Sequence, residues 1–392
     1  MKKFNIVSAN RRCHSNTIDS SVIINYFKAD GWSYSDDLKD TDAIVINTCG
    51  SIEKTRKYSL NLIKKLSIKL KKNDRTKVYV FGCLAKILDK DDIKNIEKEF
   101  NIKFLKDLED FKKEFSINSD IPERKFSSSL YNTEIKNDPS LFYLIFSRLF
   151  NKFFNNRLIP KRIANKFNLI LHKDRLNVLI SSGCTGNCKY CQIKKARGYV
   201  KSRQISDIIS DISTIKKGYI LNLVADDCAS YGVDINLTLS ELLEIIIKEY
   251  PEIKIDLRYL NPSNIIKNKE IYLKILSLTN INSLNICVQS GSNAILSLMN
   301  RNYFIEDVIS FVKELRELNN KIIIRTHVIV GYPGERYYDF FKTLKILKYF
   351  DMVNTFMYSP PPSHKIGYIN KIEAFIKKLI IDLINIYLIL IK

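Results

Sequence analysis

Along the first hundred residues, short apolar runs of β type alternate with longer stretches whose apolar positions recur every three or four residues. Phe4–Val7, Ala43–Ile46 and Val78–Phe81 read as strands, and Ile18–Lys28, Glu53–Leu70 and Asp91–Phe100 as the helices that follow them. Such alternation predicts a doubly wound parallel sheet, because parallel neighbours need a crossover and a helix usually supplies it. The pattern resumes at Leu176. Strands are read at Leu176–Ser181, Tyr219–Ala225, Lys254–Tyr259, Ser283–Val288, Lys321–Val330 and Met352–Tyr358. Helices are read between them at Ser206–Lys216, Leu237–Tyr250, Asn264–Leu278, Ile305–Asn319 and Tyr337–Phe350. Six such units make most of a barrel but fall short of the closed eight. The fold class is therefore α/β, an N-terminal doubly wound parallel-sheet domain plus a partial (β/α)6 barrel.

Between the two regions lies a connector, polar at Ser127–Ser129 and Asn137–Pro139, then aromatic and basic. Residues 141–154 fit an amphipathic helix, expected to pack on the protein's own core. The division predicted is 1–114, 115–171, 172–363 and a C-terminal helix at 364–392. Charge changes this picture in one place. The chain carries +21 overall, which a Lys-, Asn- and Ile-rich composition can explain. Residues 141–203, however, hold 14 basic residues against one acid, Asp174, and that concentration suggests an anionic partner. Lys161, Arg162, Lys166, Lys173 and Arg175 are the residues expected to meet phosphate. The N-terminus lacks the apolar core of a signal peptide. No run reaches the roughly 18 apolar residues of a spanning helix, so a cytoplasmic protein without stable membrane insertion is expected.

In that setting the eight cysteines are better read as metal ligands or catalytic groups than as disulfides. Cys184, Cys188 and Cys191 follow the first barrel strand with C-x3-C-x2-C spacing. Structural zinc wants four ligands, and no fourth Cys or His lies nearby. A cubane iron–sulfur cluster accepts three, leaving one iron open. Cys13, Cys49 and Cys83 each stand shortly after a strand of the first sheet. The carboxyl ends of parallel strands share one edge, so these three are expected to converge. Cys228 and Cys287 read as small buried residues. His327 reads as a hydrogen-bonded core histidine.

The cysteine loop after the first strand of a six-unit barrel resembles the radical S-adenosylmethionine (SAM) enzymes. In those enzymes the open iron chelates SAM, and reduction yields a 5′-deoxyadenosyl radical. Arg12-Cys13-His14-Ser15-Asn16, Asn47-Thr48-Cys49-Gly50 and Gly82-Cys83-Leu84-Ala85 narrow the resemblance to the methylthiotransferases. So do the stretch Asp227 to Asp234, Val288-Gln289-Ser290-Gly291-Ser292, Met299-Asn300-Arg301 and Ile329-Val330-Gly331-Tyr332-Pro333-Gly334-Glu335. The resemblance implies two [4Fe-4S] clusters, a radical cluster on Cys184, Cys188 and Cys191 and an auxiliary one on Cys13, Cys49 and Cys83. It implies SAM contacts at Asp226, Asp227, Gln289, Ser290 and Arg301. No catalytic residue beyond the cluster ligands is implied. An electron donor such as flavodoxin or ferredoxin is implied as well, with the sulfur donor unspecified.

The family acts on a modified tRNA adenosine or on a ribosomal-protein aspartate. Ala196-Arg197-Gly198, Lys201-Ser202-Arg203, Arg258 with Asn261-Pro262, and Val353-Asn354 resemble the branch that modifies N6-threonylcarbamoyladenosine. With the basic connector, they make tRNA the expected partner. Methylthiolation of a protein or peptide side chain is the alternative, and a noncatalytic iron–sulfur RNA-binding protein a third reading. Family members end in a small β-domain; here residues 364–392 are too few for one, so no C-terminal β-barrel domain is expected. Pro361-Pro362-Ser363-His364 stands where the family has Arg-Pro-Gly-Thr, and His327 where it commonly has Asp.

Overall fold

A computed structural model describes residues 1–10, 13–70, 75–117, 125–127, 175–361 and 370–391. The aromatic helix expected at 141–154, and Lys161, Arg162, Lys166 and Lys173, lie outside the described residues. In the N-terminal region β1 (Lys3–Ser8), β2 (Ser33–Tyr34), β3 (Ala43–Thr48), β4 (Lys77–Gly82) and β5 (Lys103–Phe104) form one parallel sheet. Its order is β2-β1-β3-β4-β5, which reverses direction between β1 and β3. Alternate residues of each strand feed opposite faces, because the side-chain period of a strand is two. Val45, Tyr79 and Phe81 pack with Phe27 and Phe111 of the helices His14–Ala29 and Leu108–Phe115. Ile44, Ile46, Val78 and Val80 pack with Ile63 and Ile93 of Glu53–Leu70 and Lys90–Phe100. Both faces are covered, as a parallel sheet requires.

The second sheet contains β6 (Lys125–Ser127), β7 (Arg175–Leu179), β10 (Ile220–Val224), β11 (Lys254–Leu260), β12 (Ile281–Gln289), β13 (Ile323–Val330) and β14 (Met352–Met357). Its order is β14-β13-β12-β11-β10-β7-β6, parallel throughout except that β6 pairs antiparallel with β7. Lys125–Ser127 had read as polar connector. It instead covers the free edge of β7, whose N–H and C=O groups would otherwise be unpaired. The stretch read as one helix over 264–278 is two, Pro262–Lys267 and Lys269–Leu276. Asn268 separates them with φ −127° and ψ 45°, outside the helical region. A small hairpin, β8 (Ser181–Ser182) with β9 (Lys201–Ser202), brackets the cysteine loop at the carboxyl end of β7. The last helix, Lys371–Ile391, lies across β14; its Asn385 Oδ1 accepts from Val353 N at 2.7 Å. Among the described residues no helix is long and apolar enough to cross a membrane.

Candidate active site

The loop after β7 is held by a glycine that nothing else could replace. Gly183 has φ +84°, and a Cβ there would stand 2.2 Å from Tyr199 O. Only without a side chain can the loop close, with Cys184 N donating to Gly198 O at 3.3 Å. Each of its three sulfurs accepts one donor. Gly186 N reaches Cys184 Sγ at 3.3 Å, Ile193 N reaches Cys191 Sγ at 3.4 Å, and Arg301 Nη1 reaches Cys188 Sγ at 3.4 Å. Burial pushes the Cys184 thiol up to about 11, with Asp227 and Cys188 adding to it. Burial likewise pushes Cys191 up to about 12, aided by Cys188 and Cys184. All eight cysteines are free.

The second trio stands at the carboxyl edge of the first sheet, beside the point where strand order reverses and ligands of such sheets bind. Cys13 leads into the helix His14–Ala29 after β1, Cys49 follows β3, and Cys83 opens a short helix after β4. Gly82 makes this last turn at φ +96°, pressed so close to Asn47 and Thr48 that a Cβ would fall 2.5 Å from each. Asn47 Nδ2 donates to Asn16 O and to Ser20 Oγ, both at 2.7 Å, which pins the helix to β3. Asn10 Nδ2 donates to Cys49 Sγ at 3.3 Å, and the Cys83 thiol donates to Asn16 Oδ1 at 3.8 Å. Burial raises the Cys13 thiol far above its ordinary value, and Cys49 and Cys83 raise it further.

One guanidinium joins the two trios. Arg197 Nη2 donates to Asp19 Oδ2 at 3.0 Å and to Asn16 Oδ1 at 3.2 Å, while its Nε lies 3.8 Å from Asp226 Oδ1. Asp226 Oδ2 in turn accepts from Gly183 N at 2.8 Å, so the pair ties the first domain to the cysteine loop. Burial works against the Arg197 charge, but Asp19, Cys83, Asp226 and Cys13 outweigh it and hold the group charged. Sequence reasoning treated Arg197 as a mark of one branch and did not foresee this bridge. Its position four residues before β9 carried no signal of a partner 178 residues away.

The donor set fits iron–sulfur clusters. Two trios of half-buried or buried thiols that repel one another as thiolates need a cationic centre, and a coordinating metal deprotonates a thiol outright. Among the described residues no three His, Cys, Asp or Glu side chains gather closely enough for a single metal ion.

Beside the loop a cavity of about 380 Å³ is lined by Gly186, Cys188, Asn261, Asn264, Lys267 and Arg301, among others. Of the five expected SAM contacts, Arg301 stands in its wall. Asp227 lies behind it, accepting from Asn261 N at 3.0 Å and Asn264 Nδ2 at 2.9 Å. Asp226 is engaged with Gly183 and Arg197. Gln289 ends β12 at φ +66°, and buried Ser290 accepts from Ser292 N at 3.2 Å and faces Thr343 Oγ1 at 3.4 Å. Cys228 and Cys287 are buried, Cys228 donating to Arg258 O at 2.7 Å. His327 Nε2 meets Asn285 Nδ2 at 2.9 Å, and burial with Arg325 and Arg258 pulls its pKa down to about 3, so it is neutral. Arg175, expected to face phosphate, is 1% exposed and paired with Asp256 at 2.9 Å. It lies inside the barrel and cannot meet an external polyanion.

Fold and thiol loop together define the radical SAM class. The profile described as the Radical SAM superfamily matches residues 178–347, and that of Uncharacterized protein family UPF0004 matches residues 7–104. The structure resembles the radical S-adenosylmethionine methyltransferase TsrM from Kitasatospora setae, with TM-score 0.58, 14% identity, and coverage of 92% of this chain and 77% of that one. The chain belongs to the methylthiotransferase family of these enzymes, whose cofactors are SAM and [4Fe-4S] clusters. It is 30% identical over 361 residues to the ribosomal protein uS12 methylthiotransferase RimO of Caldicellulosiruptor saccharolyticus, covering 88% of this chain and 74% of that protein. It is 29% identical to the enzyme of the same name from Thermosipho melanesiensis, again covering 88% and 74%.

Proposed function

We propose that this methylthiotransferase acts on a protein side chain, with ribosomal protein uS12 as the substrate. The observation that carries this reading is the shared designation of its relatives, which align over nearly the whole chain as uS12 methylthiotransferases. The tRNA substrate expected from the sequence gives way to its alternative. Burial of Arg175 supports the change, since it removes one of the cations assigned to RNA.

In this reading Cys184, Cys188 and Cys191 hold the radical cluster, and Cys13, Cys49 and Cys83 the auxiliary one. Bound there, the clusters and SAM supply the radical and the sulfur that together replace a C–H hydrogen by a methylthio group. The chain's own residues set the conditions. Gly183 permits the loop to close, Arg301 places positive charge against Cys188, and Arg197 does the same for Cys13 and Cys83. The residues divide accordingly into 1–114, 115–171, 172–363 and 364–392.

The test is anaerobic reconstitution with SAM, dithionite and purified uS12, followed by mass spectrometry of the protein. A methylthio adduct on uS12 is expected, together with 5′-deoxyadenosine. Alanine at Cys184, Cys188 or Cys191 should abolish 5′-deoxyadenosine. Alanine at Cys13, Cys49 or Cys83 should leave it uncoupled from any adduct. An adduct on tRNA nucleosides and none on uS12 would overturn the reading.

A further inference from the structure

The inner face of the barrel carries a polar layer that the proposed chemistry leaves unused. Along β11, β12 and β13 the residues Asp256, Arg258, Asn285, Arg325 and His327 alternate with the apolar residues packed under the helices. Arg175, Arg258 and Arg325 bring three guanidiniums into this layer, and all three are at most 4% exposed. Against them stands the Asp256 carboxylate, whose oxygens are already taken. Oδ2 accepts from Arg175 Nε at 2.9 Å, and Oδ1 accepts from Asn282 Nδ2 at 2.7 Å and Ser283 Oγ at 2.6 Å. Arg258 Nε donates to Asn222 Oδ1 at 3.2 Å.

Arg325 is different. It is 3% exposed, yet its Nε and Nη2 have no hydrogen-bond partner among the described residues. These two atoms form one edge of the guanidinium, the fork that receives both oxygens of a carboxylate. A buried cation is otherwise paired, because leaving it unpaired is costly. Burial and Arg258 pull the Arg325 pKa down to about 9, which still leaves it charged at neutral pH. The Arg325 charge acts on His327, Tyr259 and Cys287. The ring of His327 lies 5.6 Å from that of Tyr259, whose hydroxyl is raised to about 12 by burial, with Cys13 and Cys287 adding to the effect. Cys287 O accepts from Arg301 Nη2 at 2.5 Å, and Arg301 also reaches Cys188.

We propose that Arg325 is the receptor for one carboxylate group bound inside the barrel. Two sources share that chemistry, an acidic side chain of the substrate and the methionyl carboxylate of SAM. The first source rests on the protein-substrate reading above; the second does not.

The full chain is titrated calorimetrically with succinate and with the neutral succinamide. Succinate should bind at least about tenfold more tightly, a tenfold ratio being 1.4 kcal/mol. Arg325→Gln should erase the difference and Arg325→Lys retain part of it. Equal binding of the two probes by the native chain, a result that needs no variant, overturns the proposal. Undiminished succinate binding by Arg325→Gln does so as well. To separate the sources, the reconstituted enzyme is dialysed to equilibrium with SAM, and separately with blocked peptides carrying a single aspartate or asparagine. A tenfold loss of SAM affinity in Arg325→Gln assigns the carboxylate to SAM. Loss of aspartate-over-asparagine preference at unchanged SAM affinity assigns it to the substrate, and loss of neither refutes both. An adduct found on tRNA rather than uS12 would defeat the functional reading while leaving the succinate result standing.

Discussion

Replacing Arg175 by Met asks whether this cation is a structural member of the barrel or a contact for RNA. Arg175 and Asp256 have side chains 1% and 0% exposed and meet at 2.9 Å, so water screens the pair very little. Removing one partner of a buried pair typically costs about 3–5 kcal/mol, because the other charge is left behind. The lower end applies, since Asp256 keeps Asn282 and Ser283 and lies near Arg258 and Arg325. At roughly 2–4 °C per kcal/mol for a domain of this size, a loss near 3 kcal/mol lowers Tm by about 6–12 °C. Thermal melts followed by circular dichroism read this directly. The pH dependence adds a signed check. Burial raises the Asp256 pKa, but Arg175, Arg258, Ser283 and Arg325 outweigh it and hold the carboxyl below its ordinary value. A carboxyl depressed in the folded state contributes stability that is full above its unfolded pKa of about 3.9 and is lost as pH falls through the lower folded value. The gap between native and Arg175→Met proteins should thus be constant from neutral pH to about 5 and narrow below about 4. The double variant Arg175→Met with Asp256→Leu should be no more stable than Arg175→Met alone, because it takes from Arg258 and Arg325 the carboxylate that they also face. An unchanged Tm together with weakened tRNA binding would refute this account.

Three further outcomes follow from particular contacts. Gly183→Ala sets a Cβ against Tyr199 O in left-handed backbone, so the reconstituted protein should fall from about eight irons to about four by iron assay, with 5′-deoxyadenosine lost. Arg197→Gln leaves the half-buried Asp19 and Asp226 without their shared cation; melting should drop by several degrees and iron retention at the auxiliary trio should fall, read by iron content after gel filtration. Gly331→Ala presses on the Cβ of Ala374, 2.5 Å from the added atom, and should speed limited proteolysis of the helix Lys371–Ile391 without changing the far-ultraviolet spectrum.

What the chain determined by itself is the local and the periodic. The helix read at Glu53–Leu70 is the helix observed, and the six barrel strands were found within a few residues of their observed ends, because apolar spacing reports which residues share a face. The cysteines were legible for a related reason. Placing each shortly after a strand end is enough to bring them to one sheet edge, whatever the packing in detail. The break at Asn268 was not legible, since the apolar spacing runs through it unchanged and only the backbone there departs from helix. Nor was the fate of the charges on the barrel strands. Period-two alternation states that Asp256 and Arg258, or Arg325 and His327, lie on one side of a strand. It does not state which side. In an open sheet the polar side would meet water, and Arg175 would be free for phosphate. Curling the sheet turns that side inward, so the same residues become a buried layer with one carboxylate shared among three guanidiniums. Whether a charge is solvated, paired or left to receive a ligand depends on how strands far apart in the sequence curl toward one another, and that only the tertiary structure decided.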